Sequence, residues 1–175
     1  YSWAIGTQEY GLTSSPIERL SPKDLIGKRE PRERILTDGE LRRVWNAASE
    51  MGYPYGPLFR LLILTGQRER EVADASWSEI HFGQRLWTIP AERMKGGAAH
   101  EVPLSPAAVE LLQSVPSFTA GDCVFTTTAG AKPINGFSKA KARIDRLSGV
   151  AGWKIHDLRR TAATESRFRS RVNDR

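Results

Sequence analysis

Two short stretches of the chain concentrate side chains able to hold a negatively charged group. One is Leu64-Thr65-Gly66-Gln67-Arg68-Glu69-Arg70-Glu71-Val72, the other His156-Asp157-Leu158-Arg159-Arg160-Thr161. A guanidinium is a planar fork of donors that grips two oxygens at once and keeps its proton, so one arginine from each stretch suits the non-bridging oxygens of a phosphate. On a helix, His156 and Arg159 stand three residues apart and project from one face, within reach of the same anion. Plainer roles compete for these residues. Arg68 can be an exposed arginine paired with Glu71 or Glu69, and the His156-Asp157 pair can cap a helix, since aspartate is a good N-cap.

Composition narrows the remaining chemistry. A single cysteine, Cys123, excludes an internal disulfide framework, and His81, His100 and His156 lack CxxC or HExxH spacing, so the chemistry expected is free of metal and of cofactor. With 175 residues, 39% apolar and 26% charged, the chain has enough apolar residues for one sizeable core and reads as a soluble globular protein. No apolar run is long enough to span a bilayer, and YSWAIGTQEYG lacks the charged-then-apolar pattern of a signal peptide, which makes the cytoplasm the expected location. The net charge of +6 suits a polyanionic partner such as DNA, and the excess persists without Arg167, Arg169, Arg171 and Arg175 at the carboxyl end. Lys132, Lys139, Lys141, Arg143 and Arg146 form a basic cluster that fits either a solvated helix face or contact with a nucleic-acid backbone.

The elements that must position these residues follow from periodicity and punctuation. Tyr1 to Tyr10 reads as the end of a helix closed by Gly11, and SPKDLIGKREPRER, from Ser21 to Arg34, as an exposed linker. Thr37-Asp38-Gly39-Glu40 is a capping box ahead of Leu41, Val44, Trp45 and Ala48, which predicts a helix from Asp38 to Glu50. Pro54 and Pro57 start a helix that is apolar nearly all round and ends at Gly66; a short helix from Arg68 to Ala75 follows. Trp77 to Ile80, Leu86 to Ile89 and His100 to Leu104 read as strands of a small antiparallel sheet. Helices are expected at Ala107 to Val115, at Gly136 to Leu147 and after His156, with Val124-Phe125 a short strand. Trp45, Trp77, Trp87 and Trp153 read as core or interface aromatics. The fold class is α+β, mainly α-helical, with a three-stranded antiparallel sheet.

Taken in chain order, Arg68 with Glu71 in a TGxRxxE segment, Lys95 in Arg93-Met94-Lys95-Gly96-Gly97, and His156 with Arg159 in HxxR, together with WTIPAERMK and HEVPLS, resemble the tyrosine recombinase family, specifically phage and prophage integrases. The resemblance runs from about Thr37 to Thr164. It implies a catalytic-domain fold over 37–164, the end of a core-binding-type domain over 1–20, a linker over 21–36 and an atypical basic tail over 165–175. It implies double-stranded DNA as partner and strand transfer through a 3′-phosphotyrosine. Arg68 and Arg159 then hold the phosphate, His156 is an acid/base or hydrogen-bonding partner, and Lys95 is the general acid that protonates the departing 5′ oxygen. Glu71 orients Arg68 or a neighbouring basic residue. Within the basic cluster Lys139 and Lys141 are the candidates for contact with the DNA backbone as against a solvated face, and Arg160 reads as a structural or backbone-phosphate contact. The plainer reading of Lys95 is a solvated lysine on a glycine-rich turn.

One departure stands out. The family's attacking tyrosine lies well after HxxR, whereas Tyr1, Tyr10, Tyr53 and Tyr55 all precede Arg68. The expectation is an integrase fragment whose complete protein breaks and rejoins DNA site-specifically, inactive as this chain alone. The alternative is a non-enzymatic DNA-binding regulator or an inactive prophage remnant with the same fold. ESRFRSRVNDR has little apolar periodicity; that favours a reading frame lost near Thr164 over a deliberately shortened protein. This chain is expected as a monomer and the complete protein as a tetramer on DNA. Chain length and the TGQRERE segment argue against a type IB topoisomerase, and a helix-turn-helix repressor would not account for Arg68, Lys95 and Arg159 together.

Overall fold

Leu58, Phe59, Leu61 and Leu62 leave the helix Tyr55–Thr65 without a polar stripe, and a helix of that kind must be enclosed on most sides. In the computed structural model these four side chains are at most 1% exposed. The structure describes residues 2–7, 9–11, 13–15, 33–94 and 96–173, and from residue 165 onward the backbone alone. Two compact units divide the chain at Glu33 and Arg34. The first holds the short helix α1, Ser2–Gly6, and the tilted ring pair Trp3 and Tyr10. Most of the linker expected from Ser21 to Arg34 lies outside the described residues.

The second unit begins with α2, Asp38–Met51, and the enclosed helix is α3, Tyr55–Thr65. A short helix α4, Glu69–Ala73, leads into a sheet of β1, Ile80–His81, β2, Leu86–Ile89, and β3, His100–Pro103. Helices α5, Pro106–Gln113, α6, Phe137–Ser148, and α7, Ile155–Asn173, complete the order. The sheet is antiparallel throughout in the order β1-β2-β3, with Ile80 opposite Trp87 and Ile89 opposite His100. Helix α3 packs against α2, α4, α5 and α7, and α2 also packs on α6. On β2 the two-residue period of a strand puts Trp87 and Ile89 into the core and leaves Leu86 and Thr88 half-buried.

Local chemistry sets where the helices start. The Thr37 hydroxyl accepts from the Glu40 amide at 3.3 Å while the Glu40 carboxylate accepts from the Thr37 amide at 2.9 Å, satisfying two of the donors that a helix start leaves unpaired. Gly52 closes α2 and Gly66 closes α3. Ser105, at the N-cap of α5, accepts from the Ala108 amide, with Pro106 at the first helical position.

Two expectations are corrected. Trp77–Glu79 is a turn of 3-10 helix, and the strand is confined to Ile80–His81. The reason is a second capping box, in which Ser76 and Glu79 satisfy each other's amides and coil the backbone. Val124-Phe125 joins no ladder. Its amide and carbonyl pair with Ala75 and Ile134 at a bend flanked by the isolated bridges Ser76 to Cys123 and Thr126 to Pro133. The backbone of α7 is helical past Thr164 to Asn173.

Glu40 also carries an acid-sensitive ion pair, since Arg34 donates to it at 2.5 Å. The Arg34 hydrogen bond and the Thr37 amide push its carboxyl down to about 2 from the ordinary 4.5. A lowered folded-state value gives stability that is present above the unfolded value and lost as pH falls through the folded one. Glu40→Gln is therefore expected to lower the urea midpoint at neutral pH. The gap from the parent should close as pH is taken from 4.5 towards 2; a gap independent of pH would contradict the assignment.

Candidate functional site

The site is built where α3 ends. Gly66 adopts φ +62°, its amide donates to the Leu62 carbonyl at 2.9 Å, and the chain leaves the helix. Arg68 follows in an extended conformation as the residue that starts α4. Three residues on, Glu71 reaches back with both oxygens. One accepts the Arg68 amide at 2.8 Å and the other the Arg68 guanidinium at 2.5 Å. Glu71 is buried while the Arg68 side chain is 55% exposed, so the carboxylate fixes one edge of the fork and leaves the rest in the open.

Arg159 arrives from α7. Its Nη1 donates to the Gly66 carbonyl at 2.8 Å and, more weakly, to Gln67 Oε1 at 3.4 Å. Both arginines are thus tied to the six residues from Gly66 to Glu71. Their charges meet at Glu71: burial alone would raise its carboxyl, but the Arg68 amide and guanidinium and the charge of Arg159 bring it below the ordinary carboxylate range. The approach of α7 is tight enough that a Cβ on Gly66 would lie 3.0 Å from Ala162 Cβ.

His156 is exposed on the first turn of α7, one turn ahead of Arg159. It lines a cleft of about 340 Å³ with Glu69, Phe137, Lys141, Trp153 and Lys154. Arg68 lines a different cavity, of about 420 Å³, with Arg70, Glu71, Asp74 and Arg93. The structure therefore gathers Arg68, Glu71 and Arg159 around one stretch, and His156 opens onto the neighbouring cleft. Glu69, next in sequence to Arg68, lines the cleft of His156, and burial pushes its carboxyl up against the opposing pull of Arg70. Asp157 does not cap α7 from outside; it lies within the first turn and accepts the Lys154 amide at 2.9 Å.

Lys95 lies outside the described residues. Lys139 is exposed on α6 and Arg160 half-buried on α7. Lys141 is engaged within the fold, with Nζ 2.6 Å from both Asp145 oxygens and 4.0 Å from the centre of the Trp153 ring. Tyr53 donates to the Val124 carbonyl at 3.1 Å and accepts the Thr126 amide at 3.0 Å, and Tyr55 donates to the Asn135 carbonyl. No group of three or more His, Cys, Asp or Glu among the described residues could hold a metal ion, and no described helix is long and apolar enough to cross a membrane.

Sequence reasoning missed the part played by Arg93, which donates to the buried Glu79 at 2.5 Å and to the Glu71 carbonyl at 2.7 Å. Glu79 also accepts the Trp87 indole at 2.9 Å. Arg93 thereby ties the end of the β2 segment to the helix that carries Glu71. The signal available was a lone acid in Trp77-Ser78-Glu79-Ile80, a stretch otherwise destined for burial, and a buried acid demands a cation.

Residues 34–166 match the model of the Phage integrase family. Prophage integrase IntA of Escherichia coli (strain K12) is 34% identical over 109 residues, which is 61% of this chain and 26% of that protein. Prophage integrase IntZ of the same strain is 50% identical over 112 residues, 61% of this chain and 27% of that protein. The chain thus spans about a quarter of the length of these relatives. Among solved structures, a lambda integrase dimer bound to a COC' core site aligns with a TM-score of 0.62 at 19% identity, covering 93% of this chain and 47% of that one.

Two substitutions test the supports of the site. Gly66→Ala meets both the left-handed φ and the Ala162 contact, and a left-handed non-glycine residue costs about 1–2 kcal/mol; denaturant unfolding should show at least that loss. Glu79→Ala strands Arg93 and the Trp87 indole, and breaking a buried pair costs roughly 3–5 kcal/mol. A loss below about 1 kcal/mol would mean that Glu79 is not the anchor described.

Proposed function

Since the chain belongs to the phage integrase family, we infer that Arg68 and Arg159 hold the phosphate at which the complete protein breaks and rejoins double-stranded DNA. The supporting observation is the tethering of both guanidinium groups to Gly66–Glu71, each fixed along one edge. A phosphodiester under attack gathers charge on its non-bridging oxygens, and donors fixed in advance stabilise that charge without reorganising. His156, one turn from Arg159, is the hydrogen-bonding or acid/base partner at the same phosphate. Lys95 is the proton donor to the departing 5′ oxygen. In the full reaction a tyrosine hydroxyl gives its proton to the acid/base partner at the site as its oxygen bonds to phosphorus, the 5′ oxygen leaves with the proton from Lys95, and the phosphotyrosine bond stays open to attack by a 5′ hydroxyl.

The attacking tyrosine is not among the residues after Arg68 in this sequence, and Tyr53 and Tyr55 already have their hydroxyls on backbone groups. This chain accordingly binds duplex DNA without cutting it. Lys139 and Arg160 add backbone contacts, and Lys141 joins them only if it leaves Asp145. The chain acts as a monomer, and the complete protein assembles as a tetramer on paired sites. A second reading is a DNA-binding protein with the same fold and no strand transfer. Restoring a complete integrase carboxyl end and assaying recombination separates the two.

Binding to labelled duplex DNA is expected to weaken steeply with salt, and Arg68→Ala and Arg159→Ala should each reduce the slope of log K against log salt by about 1. Unchanged slopes in both variants would remove the phosphate role. Incubating the chain with a nicked suicide duplex should trap no covalent complex; a trapped adduct would show that one of its own residues is the nucleophile.

A further inference from the structure

We propose that Gln67 and His100 are positioning residues for Arg159, fixing the plane in which its guanidinium is presented. The inference rests on the phosphate reading of Arg159 for its purpose, and on three contacts of one side chain for its content. Gln67 lies in the turn between α3 and α4. Its Nε2 donates to the Thr65 carbonyl at 3.2 Å, which orients the amide. Its Oε1 is therefore the atom 3.4 Å from Arg159 Nη1 and 3.2 Å from His100 Nε2.

An amide oxygen only accepts, so His100 must present a protonated Nε2, either in the neutral Nε2–H tautomer or as imidazolium. Turning the amide over would set its oxygen against the Thr65 carbonyl and its NH₂ against a guanidinium that can only donate. Neither contact is favourable, and one orientation survives. The oxygen of Gln67 thus collects one donor from β3, 33 residues away, and one from α7, 92 residues away.

The mechanical effect follows from counting acceptors. With the Gly66 carbonyl alone, the Arg159 fork is free to swing about a single hydrogen bond. A second acceptor beside the first defines the plane and hence the direction of the remaining donors, which is what bidentate recognition of a phosphate requires. His100 matters because its own hydrogen bond holds the amide oxygen in place. The role is one of orientation, since neither Gln67 nor His100 need touch the phosphate.

The test uses the 175-residue chain itself. Arginine side-chain Nε–Hε resonances are recorded, with Arg159 assigned by its loss in Arg159→Lys, and affinity is read by anisotropy on a labelled duplex of random sequence. Gln67→Leu and His100→Ala should each shift and broaden the Arg159 signal and lower affinity several-fold, and His100→Gln, which keeps a side-chain N–H, should restore both. Combined with Arg159→Ala, His100→Ala should cost no further affinity, whereas a general structural defect would still add its cost. An Arg159 signal indifferent to Gln67→Leu and His100→Ala overturns the proposal, as does a DNA loss from His100→Ala that persists without Arg159. If the signal responds while Arg68→Ala and Arg159→Ala leave DNA affinity untouched, the positioning contact stands and the phosphate reading falls.

Discussion

Helix α7 descends onto Gly66 so closely that a methyl group there would lie 3.0 Å from Ala162 Cβ, and most of the site depends on that contact. The glycine does three things at one position. Its left-handed conformation ends α3, its missing Cβ admits α7, and its carbonyl, released from the helix, becomes the acceptor for Arg159. On α7, Ile155, Leu158 and Thr161 form the buried face, which leaves His156 exposed and Arg159 half-buried beside the end of α3. One helix therefore completes the core and delivers the second half of the arginine pair.

The two acid–arginine pairs show how burial decides what such a pair is for. Glu71 and Glu79 are almost equally buried, at 8% and 9% side-chain exposure, but Arg68 is 55% exposed and Arg93 only 22%. Arg93 has its donors turned inward onto Glu79 and the Glu71 carbonyl, and it stiffens the junction between sheet and helix. Arg68 has a single carboxylate behind it, leaving donors facing solvent. A buried acid anchors the cation in both cases; whether the result is a closed brace or a fork left open to solvent depends on how much of it the fold covers.

Much of this was legible in the sequence where the governing contacts are local. The Thr37 to Glu40 box fixed the start of α2, the all-round apolar pattern fixed the burial of α3, and alternation fixed the inward residues of β2. The same rule, overlooked at Ser76 and Glu79, would have turned the supposed strand there into the 3-10 turn that forms. Arg68, Glu71, His156 and Arg159 are singled out as candidates by motif order, and the Arg68 to Glu71 pairing, which the structure shows, by its three-residue spacing. Gln67, His100 and Arg93 escaped because their partners lie tens of residues away and no spacing announces them. Lys141 is a mixed case: its Asp145 partner sits at the legible i,i+4 distance, but the Trp153 ring beneath it does not.

Thr161 links α7 to the segment leading into α2, accepting the Leu36 amide at 3.0 Å while donating to the Asp157 carbonyl at 2.8 Å. Leu36 is the residue just before the capping threonine of α2, and Arg159 stands two positions before Thr161 on the same helix. The register of α7 is thus pinned at two points, by a glycine carbonyl on one side and a backbone amide on the other. A shift of one residue would turn the helix by about a quarter revolution and break both contacts together. The helix consequently works as an indexed shaft: the segment leading into α2 and the guanidinium of Arg159 cannot change position independently.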